Sequence, residues 1–229
     1  METYSSGSRG APAKGVGWVT GARVRISPSP PITKKTAISS GFLFFIHMRN
    51  WCRTGYGNES YYRYKGGKHM REIIYNRDAA VAYARRWALG RNRAYYDFEN
   101  IGGDCTNFAS QCIYAGARVM NFTPVMGWYY RSLADRAPAW TGVKYLYQFL
   151  MNNRSVGPYG HIVPQSEAKP GDIVQLGTHN GGFYHSPVIT AVTPTILVAA
   201  HTYDALDRPL SSYSYEVVRF IHIDCVRTW

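Results

Sequence analysis

The fold and the chemistry of this chain are best approached from one stretch, Ile101-Gly102-Gly103-Asp104-Cys105-Thr106-Asn107-Phe108-Ala109-Ser110-Gln111-Cys112-Ile113-Tyr114-Ala115-Gly116. From Cys105 onward, apolar residues recur at i+3, i+4 and i+7, which predicts a short helix with one buried face. Gly116 is expected to end this helix in the left-handed conformation. Asp104 is placed to cap the first turn, and Asn107 to brace it.

Cys105 then falls in the first helical turn, where unpaired N–H groups and the helix dipole favour an anion. A thiol at that position is pushed toward the thiolate, which is the nucleophilic form. Gly102 and Gly103 release the backbone, so that a substrate can approach closely. Cys112 lies in mid-helix and is expected to pack in the core, as most buried cysteines do. Cys105 is therefore the candidate nucleophile.

The positive charge of the chain, +12 in total, is concentrated at its beginning. Residues 1–75 hold 12 Lys and Arg against 3 Asp and Glu, whereas residues 76–229 hold 14 against 11. Residues 1–36 are rich in Gly, Ser, Pro and basic residues and show no periodicity, which is typical of disorder. We predict a basic, largely disordered leader over 1–74 and one globular domain over 75–229. Met48 is an alternative start of translation.

The leader carries no convincing targeting or membrane signal. The apolar run 41–46 is too short for a membrane span and begins too far from the N-terminus for a signal peptide. We therefore expect no membrane span and favour a cytoplasmic location. Aromatic and basic residues alternate over 49–64 in a composition that can stack on bases, but no nucleic-acid motif accompanies them. We expect a solvated arm and no nucleic-acid partner.

The domain itself is predicted to be α+β, with N-terminal helices packed on a C-terminal antiparallel sheet. Helices are expected over 77–89, with Asn76 as the cap and Gly90 as the stop, and over 141–151. Strands are expected over 172–176 and 217–223, with a hairpin of 183–192 and 195–202 between them, and Asp172 is expected to fix the first strand. The four cysteines are too few for a disulfide framework, so reduced thiols are the simpler expectation.

A thiol nucleophile needs a general base and a group that orients the base. His185 and His201 lie on the two strands of the predicted hairpin. A three-residue turn with Ala191 opposite Thr195 would set His201 across from His185, whereas a two-residue turn would set Thr202 there. His222 is expected to be structural. A zinc site of Cys105, His185 and His201 is conceivable, but no closely spaced ligand pair occurs, so we expect neither metal nor cofactor.

Five segments together resemble the bacterial putative amidase domain family, which is related to the NlpC-like and CHAP cysteine peptidases and amidases of the papain-like group. The segments are Tyr75-x-Arg77-x-Ala79-Ala80-x-x-Tyr83-Ala84-x-x-Trp87, Gly102 to Gln111, Gly171-Asp172, His185-Ser186 and His201-x-x-Asp204. The resemblance implies a papain-like fold, a Cys nucleophile at Cys105 and a His base at His185. It also implies a polar third residue, for which His201 is the best fit and Asp204 the competitor.

These observations predict a monomeric cysteine-dependent amidohydrolase that acts on an amide or peptide bond, with amidase, peptidase and acyl transfer left open. The N–H groups at the helix start, with Tyr95 or Tyr96 as a side-chain donor, would stabilise the oxyanion. An alternative is an inactive amidase-like domain that binds a peptide or glycan on an aromatic floor of Trp128, Tyr129, Tyr130 and Trp140. A third hypothesis, a nucleic-acid binder, depends on the basic arm.

Overall fold

A computed structural model describes residues 62–63 and 69–229. Over these residues the chain is α+β, with α-helices packed against a sheet whose strand pairs are all antiparallel, so the predicted fold class is confirmed. The predictions that concern residues 1–61 and 64–68, including those on Met48 and Cys52, lie outside the described residues. No helix in the described part of the chain is long and apolar enough to cross a membrane.

The helices form where apolar residues recur with helical spacing. They are α1 (Arg77–Trp87), α2 (Cys105–Ala117), α3 (Pro138–Thr141) and α4 (Val143–Asn152). The predicted cap of α1 is confirmed, since Asn76 Oδ1 accepts a hydrogen bond from the Ala79 N–H at 2.9 Å. Helix α1 buries Ala80 and Ala84 toward α2 and the sheet.

Gly116 does not end α2, and this prediction was wrong. The helix continues to Ala117, and Arg118 takes the left-handed conformation with φ of 58°. Gly116 is needed instead for close packing: a Cβ at this position would lie 2.4 Å from Tyr75 Cε2 and 2.6 Å from the Asn76 carbonyl oxygen. The glycine therefore lets the start of α1 approach the end of α2.

The sheet contains more strands than the sequence predicts. They are β1 (Tyr62–Arg63), β2 (His69–Ile74), β3 (Gly157–Val163), β4 (Ile173–Thr178), β5 (Gly182–His185), β6 (Val188–Ala191), β7 (Leu197–Ala200), β8 (Ala205–Pro209) and β9 (Val217–Thr228). The long strand β9 is central, because β2, β3 and β4 all pair with it. Strand β2 lies before residue 75, so the folded body extends beyond the predicted boundary.

Two apolar clusters lie on the two faces of the sheet. The larger cluster joins the helices to inward-facing strand residues such as Ile173, Val188 and Ile221. It also contains Trp128 and Trp140, which are fully buried, so these two residues do not form an exposed aromatic floor. The smaller cluster, with Leu176 and Tyr213 among its members, covers the opposite face.

The prediction of reduced cysteines was wrong for Cys225. Cys225 is disulfide-bonded, while Cys105 and Cys112 are free. The Cys225 bond therefore involves neither of the cysteines of α2.

Candidate active site

Cys105 is the first residue of α2, as predicted, and a glycine turn delivers it there. Gly102 and Gly103 have φ of 89° and 97°, which side chains rarely adopt. A Cβ on Gly103 would lie 3.0 Å from Thr202 Oγ1, and that hydroxyl accepts a hydrogen bond from the Asp104 N–H at 2.7 Å. The turn thereby ties the start of α2 to the residues that follow β7.

The Cys105 sulfur lies against the backbone of the strand that carries His185. It is 3.9 Å from the Tyr184 carbonyl oxygen and also contacts the Ser186 backbone N–H. In an extended strand, the C=O of one residue and the N–H two residues later point to the same edge. The sulfur therefore sits at the edge of the chain segment whose middle residue is His185.

The thiol is not held as a thiolate, which corrects the prediction from the helix dipole. Burial raises the pKa of Cys105, and this effect outweighs the lowering by Thr106 and by the Ser186 N–H. Desolvation of the buried sulfur therefore disfavours its charged form. Cys105 is a neutral thiol in the resting protein.

His185 ends β5 opposite Leu176 and is 8% exposed. Burial lowers the pKa of its imidazole to about 4, and the charge of Arg208 adds to that effect. The ring centroid lies 5.8 Å from that of Tyr213, and none of the hydrogen bonds among residues 69–229 joins the imidazole to Cys105 or to another side chain. The imidazole is therefore neutral near pH 7 and has an uncommitted nitrogen with which to accept a proton.

His201 does not reach His185, because both of its ring nitrogens have other partners. Nδ1 lies 2.5 Å from Asp104 Oδ2, and Nε2 lies 2.8 Å from the Trp87 carbonyl oxygen. The ring is fully buried and stacks on Phe108 at 4.0 Å. His201 thus supports Asp104, the residue immediately before the candidate nucleophile.

The strand register explains why the two histidines separate. Val188 pairs with Ala199 and Ile189 with Val198, and a bulge follows before Ala191. If the same pairing continued from Val188 to His185, Thr202 and not His201 would lie opposite His185. The arrangement with His201 across from His185 is therefore not formed. Asp204 is also directed elsewhere, since both of its carboxylate oxygens bind Arg91 at 2.9 and 3.0 Å.

Asp104 and Asn107 brace the start of α2, but not by the predicted cap. The Asp104 side chain makes no cap hydrogen bond to the helix backbone; its Oδ1 accepts from the Phe98 N–H at 2.9 Å and from Asn107 Nδ2 at 2.8 Å. Asn107 Oδ1 accepts from Trp140 Nε1 at 2.8 Å. A buried polar network thus fixes the turn that bears Cys105.

The two tyrosines considered as oxyanion donors lie in different environments. The Tyr95 ring stacks on Trp140, with the two ring centroids 5.7 Å apart. Burial raises the pKa of Tyr95 to about 12. Tyr96 is 39% exposed, and its backbone carbonyl accepts from Asn107 Nδ2 at 3.0 Å. Of the two, only Tyr96 is attached directly to the turn of Cys105.

Sequence reasoning missed a second polar chain beside the sulfur. Gln175 Nε2 donates to Ser186 Oγ at 3.1 Å, and Thr106 Oγ1 donates to the same oxygen at 3.5 Å. Gln175 is fully buried within β4. The one sequence signal for its role is that it is a polar residue in an otherwise apolar strand. Tyr213 beside His185 carried no such signal.

Comparison with known proteins identifies the family of the chain. The sequence profile described as "Putative amidase domain" matches residues 74–223. The chain belongs to this family. It is also 31% identical over 151 residues to the uncharacterized protein YhbB of Bacillus subtilis (strain 168). That match covers 64% of the chain and 46% of YhbB, so the chain spans about half the length of its relative. No solved structure matches the chain significantly.

The family assignment supports an amidase-type hydrolase. It carries no information on a metal, and in residues 62–63 and 69–229 no group of three or more His, Cys, Asp or Glu is arranged to hold one. Cys105, His185 and His201 in particular do not converge on one point, since His201 faces Asp104 and Trp87.

Proposed function

We propose that this protein is a cysteine-dependent amidohydrolase in which Cys105 is the nucleophile and His185 the general base. The observation that carries the proposal is the position of the Cys105 sulfur at the edge of the strand segment Tyr184 to Ser186. In this structure the imidazole packs beside Tyr213, so the proposed reaction requires it to turn about its side-chain bonds toward the sulfur. We further propose that the fold is papain-like and related to the NlpC-like and CHAP enzymes.

The neutral states of both groups suit a concerted start of the reaction. His185 takes the Sγ proton as the sulfur attacks the amide carbonyl carbon and forms the S–C bond. The tetrahedral intermediate then expels the amine, which receives the proton from His185, and a thioester remains on Cys105. Water, deprotonated by His185, attacks the thioester, releases the acid and restores the thiol.

The oxyanion of the intermediate requires donors close to the sulfur. The N–H groups of the first turn of α2 are close to the sulfur, because Cys105 belongs to that turn. They are free to donate, because the first N–H groups of a helix have no intrahelical acceptor. Each such donor contributes about 3 kcal/mol to transition-state stabilisation in enzymes of this kind. Tyr96 is the side-chain candidate at the rim.

In this mechanism His201 positions the start of α2 and does not orient the base, His185. Its bond to Asp104 secures the residue before Cys105, and the Asp104 carbonyl begins the helix by accepting from the Phe108 N–H at 2.9 Å. The ring of Tyr213 packs beside His185, with the two ring centroids 5.8 Å apart.

The proposal is tested by measuring the hydrolysis of acylated peptides and simple amides by the wild type, by two site variants and by one control variant. Cys105→Ala and His185→Ala should each abolish turnover, with a loss of at least about 10³-fold. Cys112→Ala, which alters the other free thiol of the same helix, should retain it. Equal turnover of Cys105→Ala and wild type would overturn the assignment. A wild-type protein that binds peptides and never cleaves them would favour the inactive binding domain.

A further inference from the structure

Arg219 on β9 is held rigidly between two aromatic rings. Its guanidinium carbon lies 3.5 Å from the ring centroid of Tyr147 and 3.8 Å from that of Phe183. Both Nε and Nη2 donate to Gln175 Oε1, the former at 2.8 Å. The guanidinium is thus fixed in orientation by one amide and two rings.

This cation has no carboxylate partner among the described residues. Arg77, Arg131 and Arg227 also stack on aromatic rings, and each forms a salt bridge with an Asp or Glu. Arg86, Arg136 and Arg208 stack on one ring each and, like Arg219, have no salt bridge among the described residues. Arg219 is half-buried, and burial lowers its pKa. Arg219 differs from the other stacked arginines without a salt bridge because two rings enclose its guanidinium and Gln175 fixes its orientation. A guanidinium fixed in this way is suited to bind an anion supplied from outside.

Arg219 lies next to the proposed catalytic centre. Gln175, which holds the guanidinium, donates through Nε2 to Ser186 Oγ, and the backbone N–H of Ser186 contacts the Cys105 sulfur. Phe183, which covers one face of the guanidinium, precedes His185 by two residues on the same strand. One hydrogen-bonded chain therefore joins the arginine to the nucleophile.

The bonding pattern also leaves a usable edge. Gln175 occupies the edge formed by Nε and Nη2, so Nη1 and the outer hydrogen of Nη2 have no partner in residues 69–229. These two nitrogens form the fork that binds a carboxylate through two parallel hydrogen bonds.

We propose that Arg219 binds a carboxylate of the substrate, so that the enzyme selects amides and peptides with a carboxylate close to the scissile bond. This proposal rests on the proposed function, because a substrate preference presupposes that the protein cleaves amides. The carboxylate is either a free C-terminus or an acidic side chain.

The test measures binding and not turnover, so that its result is separate from the proof of catalysis. Binding of three peptides to the Cys105→Ala protein is measured by calorimetry: N-acetyl-Ala-Ala with a free carboxylate, N-acetyl-Ala-Ala amide, and N-acetyl-Glu-Ala amide. The expected result is that one or both carboxylate peptides bind about 10- to 100-fold more tightly than the neutral one. Preference for the first or the third peptide identifies the source of the carboxylate.

Variants then assign the preference to Arg219. Cys105→Ala/Arg219→Gln should bind the charged and neutral peptides with nearly equal affinity, and Arg219→Lys, which keeps the charge without the fork, should give an intermediate ratio. Arg131→Gln is the matched control, since Arg131 also stacks on two rings but on a separate, exposed loop. Thermal melting establishes that each variant is folded, and Arg219→Lys carries the test should Arg219→Gln not fold.

Three results would overturn the proposal: equal binding of charged and neutral peptides by Cys105→Ala, a ratio that persists in both Arg219 variants, or no binding of any of the three peptides at millimolar concentration. Failure of the proposed function is a different result. In that case the wild type would hydrolyse nothing while the charge preference of Cys105→Ala persisted.

Discussion

The start and the middle of helix α2 carry the same residue type in different environments. At its start, the Cys105 sulfur lies at a strand edge beside two backbone N–H groups, and the surrounding side chains are polar. Seven residues later, Cys112 is fully buried among apolar side chains. Burial raises the pKa of both thiols. The pKa of Cys112 is raised well above its ordinary value, and only a hydrogen bond with its own backbone lowers it. Position along the helix therefore places one thiol beside hydrogen-bonding groups and the other in the apolar core.

The largest expected effect concerns the packed end. Gly116→Ala should lower the free energy of unfolding by about 2 kcal/mol or more, because the new methyl group would collide with the Tyr75 ring and the Asn76 carbonyl. Gly90→Ala is the control, since a Cβ at Gly90 meets nothing within 4 Å, and it should change stability by less than about 0.5 kcal/mol. Chemical denaturation measures both. Equal stability of the two variants would show that the two helices do not depend on this close contact.

A smaller effect is expected at the polar end. His201→Ala should lower the free energy of unfolding by about 1.5 kcal/mol, because it removes the ring partner of the buried Asp104 carboxylate and leaves Arg91 Nε at 3.9 Å. His222→Ala is the comparison. His222 also binds a buried carboxylate, that of Asp172, but Arg77 remains as a second partner, so about 1 kcal/mol is expected. A larger loss for His222→Ala would reverse our ranking of the two pairs.

The smallest effect concerns the pH dependence of the reactive end. Catalysis requires neutral His185, so kcat/KM should fall only as the pH drops through about 4, well below the ordinary 6.5 of histidine. Arg208→Gln removes a positive charge that lowers the pKa of His185, and it should move this acid limb to higher pH. A pH profile of peptide hydrolysis measures the shift. An acid limb that stays in place, or moves to lower pH, would contradict the assignment of His185.

Local patterns were sufficient to predict the helices and the position of Cys105. The apolar spacing of α1, α2 and α4 and the side chain of Asn76 act within a few residues, and the structure confirms them. Strand β3 was missed because Gly157, Pro158 and Gly160 have poor strand propensity, and its pairing with β9 overrides them. Gly116 was misread because its partner Tyr75 lies some forty residues away in sequence.

The site was predictable only in part for the same reason. A cysteine at a helix start can be recognised from its neighbours, but the partners of His201 and Asp204 depend on long-range pairing. A bulge in β6 sets the register, and Arg91 captures Asp204 from a different part of the chain. The desolvation that keeps Cys105 a thiol is likewise a property of the packed structure and not of the sequence.

The central claim, that Cys105 and His185 act together, is tested most directly by alkylation of the native protein with iodoacetamide at neutral pH, followed by peptide mapping. We predict that Cys105 is modified faster than Cys112 and that His185→Ala slows the modification of Cys105 without affecting Cys112. Modification of Cys112 at the same rate as Cys105, or a Cys105 rate that is unchanged in His185→Ala, would contradict the account.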